Sequence, residues 1–209
     1  MKRYAFLATS VLLGCSFPLD AQQPQDKRVE AALALSRETK ATYSLYSINR
    51  ITLDDKTIEE WAAEFHSEDM HRVETPRDRI IADCRAGAGT ALNLATGQRS
   101  SGPQYAKAAC GVNANIPILS SRFLGKIKTK FGTAEKIEIT DKYQIRGYSI
   151  LSNGVLAEAT ITVLGPPKKL KLTNCPILVT KQLPERDIFS IASLDKSVVP
   201  VSIKERTRC

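Results

Sequence analysis

Residues 61–97 read WAAEFHSEDMHRVETPRDRIIADCRAGAGTALNLATG. Short runs in this stretch alternate between apolar and polar residues, and polar or glycine-containing turns separate the runs. Trp61 and Phe65 fall on one side of the first run, while Glu64 and His66 fall on the other. Alternation with a period of two predicts β-strands, and turns at this spacing predict an antiparallel meander. We expect Trp61 and Phe65 to anchor the core.

The same pattern extends in both directions from this stretch. Strands are predicted over 143–151 and 155–164, joined through Asn153-Gly154, a dipeptide that favours tight hairpins. Asp26 is a suitable N-cap for an amphipathic helix over 27–39, which needs a sheet to cover. We therefore predict a mainly β (α+β) fold. Its single domain is a curved antiparallel sheet or an unclosed β-barrel, covered by an N-terminal helix and a mid-chain helix or loop.

Several other segments have weaker patterns. A short helix is predicted over 105–110, and 116–123 is either a second covering helix or an extended lid. Further short strands are expected at 170–172 and 177–180. The segment 198–203 is predicted to be the last strand.

The N-terminus has the features of an export signal. Lys2 and Arg3 precede a mostly apolar run over 4–17 that is too short to span a bilayer comfortably. Cleavage after Ala21 would give a signal peptide over 1–21 and secretion in soluble form. A lipobox-like Leu-Leu-Gly before Cys15 would instead give a lipoprotein signal over 1–14 and a membrane anchor at Cys15. Both alternatives predict an exported, periplasmic protein with a linker over 22–28 and a single β-rich domain over 29–209.

The cysteine pattern agrees with export. Apart from Cys15, the chain has an even number of cysteines, and their spacing does not suit a zinc site. Neighbourhood in the sequence favours two disulfides, with the alternative that all four thiols are free. The predicted bridges join Cys84 to Cys110 and Cys175 to Cys209.

The composition limits the possible classes of partner. With 43% hydrophobic and 25% charged residues over 209 positions, the chain is an ordinary globular protein. Its net charge of +8 would suit an anionic membrane surface, but on an exported chain it does not indicate nucleic acid. Lys126, Lys128 and Lys130 would form a basic strand face.

The motifs of catalysis and metal binding are not found in the sequence. No GxSxG elbow is present, and AGAGT at 86–90 lacks the spacing of a phosphate loop. His66 and His71 flank a turn, where they could bind a metal ion with nearby carboxylates, but two surface residues at a polar hairpin are the better interpretation. We therefore predict no enzyme activity, no cofactor and no metal site.

The predicted order of elements resembles the LolA/LolB-like fold of periplasmic lipoprotein carriers and outer-membrane lipoprotein receptors. The resemblance covers 29–199 and is architectural. The segments that carry it are the strand with Trp61 and Phe65, HRVE at 71–74 with IIAD at 80–83, the Asn153-Gly154 hairpin, and DIFSI at 187–191.

The resemblance implies an unclosed barrel whose helix-covered face binds acyl chains. The expected ligand is a lipid or lipoprotein, and Arg72 and Arg79 are both candidates for the family's lipoprotein-handling arginine. The predicted cavity wall consists of Trp61, Phe65, Arg72, Arg79 and Ile81. The alternative is a structural or partner-binding protein of the cell envelope that uses its basic surface without a small-molecule ligand. The oligomeric state is not predicted.

Overall fold

The computed structural model describes residues 26–110, 117–165, 170–184, 187–206 and 208. Within these residues, eleven antiparallel strands form one sheet, which confirms the predicted fold class. The strands are β1 (Tyr43–Leu53), β2 (Lys56–Ser67), β3 (Met70–Glu74), β4 (Asp78–Asp83), β5 (Ala88–Asn93), β6 (Arg99–Ser101), β7 (Ser120–Thr129), β8 (Gly132–Thr140), β9 (Gln144–Leu151), β10 (Leu156–Val163) and β11 (Leu170–Thr180).

Two meanders make up the sheet, in the order β6-β5-β4-β3-β2-β1-β11-β10-β9-β8-β7. Each consecutive pair within a meander is a local hairpin, as the closely spaced turns predicted. The meanders meet where β1 pairs with β11, with Ile51 opposite Leu172. Strands β6 and β7 are the two edges and do not pair, so the sheet is unclosed.

Helices α1 (Lys27–Arg37) and α2 (Pro103–Ala109) pack on the same face of the sheet, here called the helix face. The Asp26 carboxylate caps α1 by accepting a hydrogen bond from the backbone N–H of Arg28, as predicted. Helix α1 buries Val29, Ala32 and Leu33 against β8 and β9. Helix α2 packs against β3, β4 and β5 at the other end of the strand order.

The opposite face of β2 to β5 is covered by residues 187–206, here called the C-terminal segment. It contains a 3-10 helix (Ile191–Asp195) and the short helix α3 (Val201–Lys204). Ile188, Val199 and Ile203 of this segment are buried against Phe65 and its neighbours. The predicted last strand over 198–203 is therefore wrong. Since Pro200 cannot donate a backbone hydrogen bond, it suits the start of α3 better than a strand.

Two other expectations need correction. In the predicted helix or lid over 116–123, residues 117–119 have no regular secondary structure and residues 120–123 begin β7, so the described part is neither a helix nor a lid. The two predicted short strands at 170–172 and 177–180 are one continuous strand, β11, which accommodates Pro176 where its register with β1 shifts. A bulge of this kind tolerates proline because the ladder is interrupted there.

Candidate functional site

The predicted cavity wall lies together on one face of the sheet, beneath the C-terminal segment. Register places Phe65 opposite Arg72 and Arg72 opposite Ile81. Alternation puts Trp61 and Arg79 on the same face. Phe65, Arg72 and Ile81 are buried, and the partly buried Trp61 packs against the core cluster that contains Phe65.

Arg72 connects this face to the C-terminal segment. Its guanidinium is fully buried, and it donates hydrogen bonds to the backbone oxygens of Ile188 and Lys196, each at 2.7 Å. It also donates from Nε to Glu74 Oε1 at 2.9 Å, and Glu74 accepts from the backbone N–H of Val198 at 3.1 Å.

Arg79 adds a further hydrogen bond to the same segment. It donates from Nη1 to the backbone oxygen of Leu194 at 2.7 Å. The C-terminal segment of the chain therefore covers the predicted cavity wall. A ligand role for those five residues stays a prediction.

A different set of side chains forms an apolar surface on the helix face, between the parts of the sheet that α1 and α2 cover. Cross-strand partners fix its composition: Ile58 pairs with Ile51, Ile51 with Leu172, and Leu172 with Ile161. Positions two residues away on the same strands complete the set. This aliphatic surface consists of Ile51, Leu53, Ile58, Ile161, Val163, Leu170 and Leu172.

The aliphatic surface is incompletely packed. Ile58 is 62% exposed and Leu53 is 37% exposed, and the other members are half-buried. None of the five core clusters formed by the described residues includes a member of this set. Towards the Tyr43 end of β1, the aliphatic surface ends at a polar network, in which the Asn174 side chain donates hydrogen bonds to Ser47 Oγ and Asn49 Oδ1.

The other face of the same four strands is polar. It carries threonines and charged residues at the positions next to each aliphatic one, as in the sequences RITL at 50–53 and TITV at 160–163. These polar neighbours are Arg50, Thr52, Thr57, Glu59, Thr160, Thr162, Lys171 and Thr173. The alternation was visible in the sequence, but only strand pairing shows that the aliphatic residues of four strands share one face.

The two histidines are buried, so their interpretation as surface residues of a polar hairpin was wrong. They are direct cross-strand partners on the helix face, and their side chains are only 4–5% exposed. Their ring centroids lie 5.5 Å apart, and the Tyr43 ring stacks on His66 at 5.3 Å. Burial lowers the pKa of His66 and raises the pKa of Tyr43.

These rings form the floor of a pocket of about 300 Å³, here called the histidine pocket. Its walls come from the C-terminal end of α1, the β2–β3 hairpin and the disulfide region. His66 Nδ1 lies 2.7 Å from the backbone oxygen of Ala41 and donates to it. Lys40 closes one side through an ion pair with Asp69.

The predicted Cys84–Cys110 disulfide is present and lies beside the histidine pocket. It joins the turn after β4 to the end of α2, and so fastens that helix to the sheet. Cys175 is also disulfide-bonded. Cys209, its predicted partner, lies outside the described residues, as do the predicted signal segments and Cys15.

The described residues contain no group of three or more His, Cys, Asp or Glu side chains arranged to hold a metal ion. Among the same residues, no helix has the length and apolar character needed to cross a membrane. Lys126, Lys128 and Lys130 are exposed on or directly after β7, an edge strand of the sheet.

No family model matches the sequence, and no curated protein matches it. Solved structures match the fold. An uncharacterized conserved protein from Thermus thermophilus is 12% identical with a TM-score of 0.49, and the match covers 85% of this chain and 97% of that one. A LolA superfamily protein from Nitrosomonas europaea is 10% identical with a TM-score of 0.42, covering 79% and 98%.

A third match is an outer-membrane lipoprotein-sorting protein domain from Vibrio parahaemolyticus, 11% identical with a TM-score of 0.43, covering 81% of this chain and 97% of that one. These likenesses concern the fold alone. The architecture predicted from the LolA/LolB-like resemblance is confirmed in this chain: an unclosed sheet carries an N-terminal and a mid-chain helix on one face.

Proposed function

We propose that this protein is an exported, non-enzymatic protein that binds an acyl chain of a lipid or lipoprotein on the aliphatic surface of the helix face. One observation carries the proposal: four adjacent strands present seven aliphatic side chains that lie outside the described core clusters. Covering a partly exposed leucine or isoleucine removes apolar area from water, which stabilises a complex by about 25 cal/mol per Å².

The chemistry of the surface favours an acyl chain over a protein partner. Protein interfaces are enriched in aromatic residues and arginine at their centres, whereas every member of the aliphatic surface is isoleucine, leucine or valine. Helices α1 and α2 pack on either side of these strands, which leaves a strip suited to a long, narrow ligand. The same seven side chains contain no nucleophile, acid or base, so the surface suits binding and not catalysis.

Export is part of the proposal. The Cys84–Cys110 disulfide and the bonded Cys175 fit an oxidising compartment such as the periplasm. The intact mass of the mature protein would distinguish the two forms of export. Cleavage after Ala21 gives an unmodified chain from residue 22, whereas a lipoprotein keeps Cys15 with its added lipid.

Native mass spectrometry tests ligand binding directly. We expect delipidated protein incubated with oleate to show one bound fatty acid, and the protein as purified to release lipid on organic extraction. Persistently empty protein in both experiments would contradict the proposal.

A second candidate function uses the basic strand face. Lys126, Lys128 and Lys130 are exposed at one edge of the sheet, where they could contact anionic lipids. Changing all three lysines to glutamine should abolish binding to phosphatidylglycerol vesicles and leave oleate binding unchanged. Vesicle binding that survives the triple substitution would rule out this candidate.

A further inference from the structure

The histidine pocket lies at the opposite end of β1 from the aliphatic surface. Tyr43 begins β1 and lines the pocket, whereas Ile51 and Leu53 near the end of the strand belong to the aliphatic surface. The network of buried Ser47 with half-buried Asn49 and Asn174 lies between them. The two sites are therefore separate, and an inference about the pocket does not depend on acyl-chain binding.

His71 is the strongest sign that the pocket accepts a ligand. Its side chain is 5% exposed, and Nε2 is buried without a hydrogen-bond partner. A carboxylate oxygen, Glu64 Oε2, lies 3.7 Å from Nε2, which is too far for a hydrogen bond. A buried nitrogen without a partner costs free energy, which a ligand that bonds to it would recover.

The groups on the pocket floor are mostly hydrogen-bond acceptors. Because His66 donates from Nδ1 to Ala41, its neutral ring leaves Nε2 as an acceptor. Burial lowers the pKa of His66, which keeps the ring neutral at pH 7. Glu64 contributes a carboxylate on the same face of β2, two residues before His66. A group with several N–H donors could bridge His71 Nε2 and Glu64 Oε2.

The charge of the pocket also favours a cation. Its lining has four acidic side chains, Glu38, Glu64, Glu68 and Asp69, and three basic ones, Arg37, Lys40 and Arg85. Without the two imidazoles, these side chains give a local charge of 3 − 4 = −1, in a protein with a net charge of +8. The C-terminal end of α1 also faces the pocket and carries the negative end of the helix dipole.

We propose that the histidine pocket binds the primary ammonium group of a small organic ligand, and that Glu64 and His71, in the tautomer with its proton on Nδ1, accept its N–H bonds. A metal ion fits less well, since no three described ligating side chains are arranged to hold one and the cavity of about 300 Å³ is far larger than an ion. The ammonium group belongs either to a free amine or to a lipid headgroup such as ethanolamine.

The two histidines make the proposal directly measurable. Because the chain has only two, histidine side-chain NMR spectra contain two sets of signals, which a His71→Gln variant assigns. We expect ethanolamine to shift both sets saturably. Choline, whose nitrogen has no N–H, and ethylene glycol, which has no charge, should bind at least about tenfold more weakly. Equal responses to all three compounds, or no response to either ethanolamine or phosphatidylethanolamine vesicles, would overturn the proposal.

A matched pair of variants tests the role of Glu64. Glu64→Gln keeps the shape of the side chain but removes its charge, and should weaken ethanolamine binding at least about tenfold. Glu60→Gln makes the same change on the same face of β2, outside the pocket, and should leave binding unchanged. Unchanged binding by Glu64→Gln would contradict the assignment.

Vesicle binding distinguishes the two sources of the ammonium group. Histidine shifts with phosphatidylethanolamine vesicles but not with phosphatidylcholine vesicles would assign the pocket to a lipid headgroup. Shifts with free ethanolamine and with neither kind of vesicle would assign it to a free amine. If neither free ethanolamine nor phosphatidylethanolamine shifts the signals, the pocket does not bind a primary ammonium group.

Discussion

Ile51 on β1 and Leu172 on β11 lie opposite each other where the two meanders join. Both side chains are half-buried on the helix face, and neither belongs to a described core cluster. Their strand neighbours on the opposite face, Arg50 and Thr173, are polar. This pair is the centre of the aliphatic surface on which acyl-chain binding is proposed.

Arg72 should be essential for stability. In an Arg72→Met variant, buried Glu74 loses its main ionic partner, and several backbone oxygens of the C-terminal segment lose their donor. Breaking a buried ion pair on one side typically costs about 3–5 kcal/mol. Urea unfolding at pH 7 should show a loss of this size.

Arg50→Met, which disrupts an exposed pair with Glu59, should cost less than about 1 kcal/mol. Similar losses in both variants would contradict the structural role of Arg72.

Acid should destabilise the fold through His66. Because burial lowers the pKa of His66 below its ordinary 6.5, the folded state binds fewer protons than the unfolded state. The stability that neutral His66 contributes to the folded state is therefore fully present above pH 6.5, and it is lost as the pH falls below that value. Urea midpoints at pH 7.5 and pH 5 should differ more for the natural protein than for His66→Gln.

Other titrations are separable from this one. Hydrogen bonds from Lys40 and Arg99 lower the pKa values of Asp69 and Asp195 below 3.8. These two carboxyl groups therefore titrate below the range of pH 5 to pH 7.5 that the urea experiment compares. An equal pH dependence in the natural protein and the His66→Gln variant would show that His66 is not the group responsible.

Gly154 should be intolerant of a side chain. It has φ of +84°, and an added Cβ would lie 2.5 Å from the backbone oxygen of Leu35 at the end of α1. Gly154→Ala therefore combines backbone strain with displacement of the helix, and we expect a loss of about 2–3 kcal/mol. Gly87 has φ of +64° with nothing within 4 Å of the added Cβ, so Gly87→Ala isolates the strain at about 1–2 kcal/mol. Equal losses in thermal or urea unfolding would show that the contact with α1 is unimportant.

Local patterns predicted most of the sheet. Alternation over 143–151 and 155–164 and the Asn153-Gly154 turn gave β9, β10 and their hairpin, and Asp26 gave the start of α1. These elements depend on residues near one another in the chain, so local sequence patterns are sufficient to predict them.

Features that depend on distant residues were missed or misread. The polar turn between His66 and His71 suggested exposure, but α1 and the disulfide region bury that end of the sheet. Arg72 was expected in a cavity wall, and its partners lie more than 110 residues later in the C-terminal segment. The aliphatic surface was missed because its members become neighbours only through the pairing of β1 with β11.

A fluorescent fatty-acid probe, titrated into matched variants at the aliphatic surface, is the most direct test of the proposed function. Ile58 and Thr57 are exposed neighbours on β2 that point to opposite faces. The natural protein and Thr57→Glu should bind the probe equally, and Ile58→Glu should bind at least about tenfold more weakly, because a carboxylate would be placed against the acyl chain. A natural protein that does not bind the probe, or two variants that bind it equally well, would contradict acyl-chain binding on the helix face.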